Sequence, residues 1–134
     1  MSGPAREPLL DPDDLARGQQ TRREVLGLSH VESSYAVDEL SRPKTELSEY
    51  VWSRIWSRPG LSRKSRSIAN LTMLTALNRP HELKLHVHAA LNNGLTRAEI
   101  GEVLLQTAIY CGIAAAEDSF RIAQEAFRER DDKA

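Results

Sequence analysis

The chain has 134 residues, 40% of them hydrophobic, 28% charged and only 5% aromatic, and 18 basic against 19 acidic residues leave a formal net charge of −1. That length suits a single domain with one core, the balanced charge offers no basic footprint for nucleic acid, and no apolar run approaches the ~20 residues that crossing a bilayer requires. The single cysteine, Cys111, excludes an intrachain disulfide and CxxC chemistry and fits a reducing, cytoplasmic setting.

The opening MSGPAREPLL lacks a basic stretch followed by an apolar one, so no signal peptide is expected. Residues 1–12, with Pro4, Pro8 and Pro12, read as a flexible arm. Asp11 or Asp13 can cap a first helix over residues 13–26, with Gly27 as its stop. That helix offers only Leu15, Val25 and Leu26 for apolar contact, so it needs something to pack on, another subunit included. Residues 28–42, which contain His30, show no clear period and read as a short helix or a loop. Pro43 suits the first turn of the next helix, which runs to about residue 57. Its inward candidates are Leu47, Tyr50, Val51 and Ile55, with Trp52 or Trp56 beside them. Arg58-Pro59-Gly60 breaks it.

Ser62 caps a helix to about residue 77, with Ile68, Leu71, Thr72 and Thr75 as its stripe. Arg63, Lys64 and Arg66 crowd its first turn, where cations oppose the helix dipole. They suit either a bound anion or an acidic partner, or they are simply solvated. A helix over residues 80–92 is apolar nearly all round, yet it carries His86 and His88. Asn92-Asn93-Gly94 stops it. Thr96 and Glu99 then form a capping box for a helix with Ile100, Val103, Leu104, Thr107 and Cys111 as its buried stripe. Gly112 ends that helix, and a last one over about 114–130 presents Ala116, Phe120, Ala123 and Phe127. Residues 131–134 read as a frayed tail. The class is all-α, with about six helices in one domain over residues 13–130.

His86 is the leading candidate for chemistry, because an imidazole titrates near neutral pH and an unsatisfied one is costly in an apolar helix. The plainer reading is a core histidine bonded to a backbone carbonyl. His88 lies about 200° further round the helix, so the two cannot share a face and are no metal pair. It is either a site residue or an interface residue. Glu82, one turn before His86, either orients it or is exposed. Glu102 either positions a histidine or is solvated. Arg58 and Arg66 are candidates for gripping carboxylates, and Arg22 and His30 for reaching a neighbouring subunit's site. Cys111 reads as a small core residue.

Three blocks carry a resemblance that runs nearly end to end: RREVLGLSHV, IWSRPGLSRKSRS and LHVHAALNNGLTRAEIGEVLLQTAIYCG. Together they resemble the carboxymuconolactone decarboxylase family. The resemblance implies an alkylhydroperoxidase-D-like helical bundle that assembles as a homo-oligomer, a trimer or hexamer. It implies decarboxylation of 4-carboxymuconolactone to the enol-lactone of 3-oxoadipate, in the protocatechuate branch of aromatic catabolism. The substrate is a small anion, and neither cofactor nor metal is expected. The catalytic candidates are then His86, His88 and Glu102, and the substrate-binding ones Arg58, Arg66, Arg22 and His30. Peroxidases of the same fold use a cysteine pair, whose positions fall here at Arg79 and Glu82, and a glutamate, which falls at Ser67. Without the thiols a disulfide cycle is excluded.

The chain also departs from the family pattern. Ser53 and Arg54 stand where glycine and glutamate are usual, His88 where arginine is, and Ala114 and Glu117 where proline and asparagine are. These changes leave the substrate open. They motivate a second reading, an isomerase or other proton-transfer enzyme on an unsaturated carbonyl compound. A third is a non-catalytic oligomeric protein that retains the fold. Whether Arg54, His88 and Glu117 converge with His86 in one pocket separates this third reading from the enzymes, and if they lie on the outer surface the departures are neutral and the decarboxylase reading rises.

Overall fold

The computed structural model describes residues 10–33 and 38–134. Most of the expected N-terminal arm lies outside the described residues. Seven α-helices and no strand occur among the described residues: α1 (Pro12–Leu26), α2 (Leu28–Ser33), α3 (Ser41–Tyr50), α4 (Arg63–Ala76), α5 (Pro80–Asn92), α6 (Arg97–Cys111) and α7 (Ile113–Asp132). The all-α expectation holds. The additional helix is α2, within the segment whose period is unclear from sequence.

Two compact units divide these helices. The first contains α1 up to Glu24, together with α2 and α3. Asp11 caps α1, its carboxylate accepting from Asp14 N–H at 2.8 Å. Gly18 on α1 faces Ser53 so closely that a Cβ at Gly18 would lie 1.8 Å from Ser53 Oγ. No larger residue fits there without moving backbone. Thr21 Oγ1 and Ser57 Oγ lie 3.0 Å apart, and Ser57 donates to Trp52 O at 2.7 Å.

Within this unit the expected inward face is only partly the buried one. Leu47, Tyr50 and Ile55 are exposed, whereas Trp52, Ser53 and Trp56 are buried. Leu47 and Tyr50 lie on α3, which buries nothing, and past them the backbone continues as a π-helical turn over Val51–Trp56. A wider turn rotates every following side chain away from the phase of a regular helix. Trp52 and Trp56 then come together, their ring centroids 5.3 Å apart.

The second unit comprises Val25–Gly27 and Leu61–Ala134. Here α4, α5, α6 and α7 pack on one another. Leu71, Leu83, Val87, Ala90, Leu95, Ile100, Leu104, Ala123 and Ala126 form the core, with Phe120 and Phe127 against it. Ser62 caps α4, and Thr96 with Glu99 completes the reciprocal capping box on α6. Gly94 and Gly112 take φ of 98° and 100°, the left-handed region that lets α5 and α6 stop without a Cβ penalty.

The buried stripe of α4 differs from the expected one. It runs through Ser67, Leu71 and Thr75, while Ile68 is exposed and Thr72 half-buried. Hydrogen bonds explain how polar residues enter it. Thr75 Oγ1 bonds both Leu71 O at 2.8 Å and Ser119 Oγ of α7 at 2.9 Å, so neither hydroxyl goes unsatisfied. At the far end α7 extends through Asp132, and Asp131 accepts from Arg97. Arg97 also lies over the Phe127 ring, 4.8 Å from its centroid.

Candidate functional site

The α4–α5 seam brings polar groups together over the apolar core. A three-residue connector, Leu77 to Arg79, turns the chain so that the two helices run side by side in opposite directions. Two contacts fix their register. Asn93 Nδ2 donates to the buried Ser67 Oγ at 2.8 Å. One turn further along the seam, Asn70 Nδ2 lies 3.4 Å from His86 Nδ1. Arg66 stands one turn before Asn70 on α4, half-buried. Below the step lie Leu71, Leu83, Val87 and Ala90, all at most 1% exposed. Arg66, Asn70 and His86, each half-buried, thus stand on two helices that share the apolar core.

The other side of α5 is an ionic cluster. His88 Nε2 is 3.0 Å from Glu129 Oε2 of α7, and Lys84 Nζ donates to Glu129 Oε1 at 2.6 Å. Glu129 is held below the usual glutamate range, first by the Lys84 hydrogen bond and then by His88. Lys84 is raised, chiefly by the same bond to Glu129. Arg130 donates to His88 O at 3.3 Å and also bonds Asn92, whose Nδ2 donates to Val25 O at 2.7 Å. These bonds tie α5 to α7 and to the Val25–Gly27 segment.

The remaining candidates are dispersed. Glu102 is exposed on α6, on the stripe that carries Leu105 and Ile109 outward. Glu82 is exposed. Cys111 is half-buried at the end of α6. Of the first-turn cations on α4, Lys64 has an acidic partner in Glu99 at 3.4 Å. Arg58, Arg22 and His30 belong to the first unit. Arg58 follows the π-helical turn and is exposed, and Arg22 and His30 are half-buried and engaged.

Two of the three departures that bear on His86 can be compared with it within one unit. His88 bonds α7 while His86 meets α4, and Glu117 is exposed in the first turns of α7. His88 thus turns to a different helix from His86. Arg54, in the first unit, is paired with Asp14 at 2.9 Å.

Sequence reasoning missed Asn70. The available signal was a carboxamide within the otherwise apolar stretch IANLTML, four residues after Arg66 and so on the same helix face.

The chain is similar to known proteins over most of its length. Residues 45–125 match the carboxymuconolactone decarboxylase family. The chain is 35% identical over 121 residues to a 4-carboxymuconolactone decarboxylase of Acinetobacter baylyi, covering 89% of this chain and 90% of that one. It is 36% identical over 118 residues to a nitrosuccinic acid decarboxylase of Metarhizium robertsii, covering 87% and 82%. An uncharacterised 15.0 kDa protein of Paracoccus denitrificans is 31% identical over 91 residues, covering 66% and 67%. With the helical architecture, the polar seam over its apolar floor and matches that span most of the sequence, the chain belongs to the carboxymuconolactone decarboxylase family.

Proposed function

We propose that this protein decarboxylates a small carboxylate whose own structure accepts the released electron pair, with 4-carboxymuconolactone as the first substrate to test. The observation that carries the reading is the His86–Asn70 step beside Arg66, set over buried aliphatic side chains. Both named decarboxylases to which the chain is similar fit that description of a substrate. In 4-carboxymuconolactone the pair left by departing carbon dioxide spreads through the ring alkene to the lactone carbonyl. In nitrosuccinic acid one carboxylate shares its carbon with a nitro group, which can take up the pair. That His88 bonds Glu129 of α7 while His86 meets α4 favours this reading over a redirected isomerase.

In the lactone reaction the bond from ring carbon to carboxylate breaks, carbon dioxide leaves, and a dienolate forms with its charge on the carbonyl oxygen. A proton then adds to the carbon next to the carbonyl, giving the enol-lactone with net uptake of one proton from solvent. His86 supplies an N–H to the developing oxyanion, where a preorganised donor in a low-dielectric site is worth most. Arg66 grips a carboxylate, for which a guanidinium fork is suited. The apolar floor disfavours the carboxylate that leaves and accepts neutral carbon dioxide. Enzyme at micromolar concentration is mixed with 4-carboxymuconolactone, and in parallel with nitrosuccinate, while carbon dioxide release is followed. Release from the lactone supports the reading, release from nitrosuccinate alone moves the substrate, and release from neither contradicts decarboxylation.

The protein also works as a homo-oligomer in this reading, a trimer or hexamer. Its support is an apolar stripe turned outward on α6 and the start of α7: Leu105 56%, Ile109 80%, Tyr110 84% and Ile113 70% exposed. A contiguous surface of this kind is the mark of an interface. Light scattering should give a mass well above the 15.0 kDa chain, and Ile109→Asp should lower it. A monomeric wild type overturns the assembly.

A further inference from the structure

Helix α4 carries a second outward apolar feature. About one turn after Asn70 stands Met73, 51% exposed, and one turn further, at the helix end, Leu77, 64% exposed. At 3.6 residues per turn, Arg66, Asn70, Met73 and Leu77 lie within about 60° of one another, so they form one stripe. The outward stripe of α6 has the same build. Glu102, Gln106 and Ile109 are exposed along one face, and the exposed Ile113 follows just past the helix end. Both series advance by four, three and four residues, and both run from a charge through a carboxamide to two apolar side chains. The two charges are opposite. Met73, Leu77, Ile109 and Ile113 all stay exposed in the single chain, so neither apolar end covers the other.

We propose that the α4 stripe of one copy of this chain receives the α6 stripe of the next, parallel and in register, in a head-to-tail contact. Arg66 then faces the partner subunit's Glu102, and Asn70 faces the partner subunit's Gln106. Met73 packs on the partner subunit's Ile109, and Leu77 on the partner subunit's Ile113. The opposite direction would set Arg66 against the partner's Ile113 and Leu77 against the partner's Glu102, and a charge buried on an apolar side chain is costly. Arg66 is already engaged within its own chain, and a guanidinium with five N–H donors can serve a second acceptor. The charged end thus fixes direction and register, and the apolar end supplies the buried area. A contact between two different faces makes a ring when the rotation closes, not a two-fold dimer. It also sets a partner's carboxamide beside Asn70, which meets His86, so the seam is completed only in the assembly. The inference rests on the oligomer reading above and deepens it by naming the face that the α6 stripe meets.

The test is disulfide trapping in the full-length protein with Cys111→Ala as the parent, so that only introduced thiols react. Met73→Cys and Ile109→Cys are combined in one chain, mildly oxidised and run on a non-reducing denaturing gel. Thiols brought to van der Waals contact are within disulfide reach, so most of the chain should enter a covalent ladder that passes the dimer and ends at the closed ring. Met73→Cys alone and Ile109→Cys alone should stay single chains. A product that stops at the dimer, or a dimer from Ile109→Cys alone, means that the faces pair by two-fold symmetry and overturns the head-to-tail contact. If the first double variant does not assemble, Leu77→Cys with Ile113→Cys decides by the same outcomes. Light scattering of the parent separates the two readings. A monomeric parent takes down the oligomer and this pairing together, whereas an assembled parent without the ladder takes down the pairing alone.

Discussion

Helix α5 carries two histidines two residues apart, and they have opposite surroundings. His86 faces α4, where it meets a neutral carboxamide beside an arginine and over aliphatic side chains. His88 faces α7, where a glutamate already shared with Lys84 takes up its Nε2. The helical repeat of about 100° per residue is enough to send the two rings to different partners. In the proposed reading that ring serves the chemistry. The other is spent on tying two helices together. Residue type and local sequence are the same, so the difference lies in which helix each face meets.

The strongest way to break this comparison is to remove each ring in turn. His86→Ala should cut turnover by about two to three powers of ten, the usual cost of one lost oxyanion donor, while helical content and oligomer stay native. His86→Gln should recover part of that loss if donation is the role.

A smaller effect is expected on the α7 side. Glu129→Gln should leave turnover within a few-fold and lower stability at neutral pH by about 0.2–1 kcal/mol, the range for partly exposed ion pairs. Its pH dependence has a definite sign. The folded protein holds Glu129 below the usual glutamate range through Lys84 first and His88 second. The stabilisation is therefore present above the unfolded-state pKa and is lost as pH falls through the lowered, folded-state one. Chemical denaturation from neutral to acid pH should show wild type and Glu129→Gln converging as the pH drops. A gap that widens towards acid would contradict the cluster.

The smallest effect belongs to Cys111, half-buried at the end of α6. Cys111→Ala should keep turnover within a few-fold and cost at most about 1–2 kcal/mol in denaturant titration. A loss comparable to that of His86→Ala would give the thiol a role that nothing around it suggests.

Much of the fold was legible because its signals are local. The T-x-x-E box, the Ser62 cap and the Asn-Asn-Gly stop each act within one turn of chain, and each stands where the sequence put it. The α6 stripe of Ile100, Leu104 and Thr107 likewise follows from period alone. The phase of the residues after α3 did not, because a π-helical turn over Val51–Trp56 changes the period there and no side-chain pattern announces it. On α4 the buried face holds Ser67 and Thr75 in place of Ile68, since Asn93 just past α5 and Ser119 of α7 satisfy their hydroxyls. Those partners lie 26 and 44 residues away in sequence. For the same reason His86 could be singled out from one helix, but not Asn70, whose meaning comes from the residue it faces.

The central claim is that the two faces of α5 divide the labour, with His86 and not His88 serving the reaction. The most direct measurement is carbon dioxide release from 4-carboxymuconolactone by wild type, His86→Ala and His88→Ala side by side, each verified as folded and of native mass. The account predicts that His88→Ala stays within a few-fold of wild type while His86→Ala falls by about a hundred- to a thousandfold. Equal losses in the two variants, or a greater loss in His88→Ala, would contradict it.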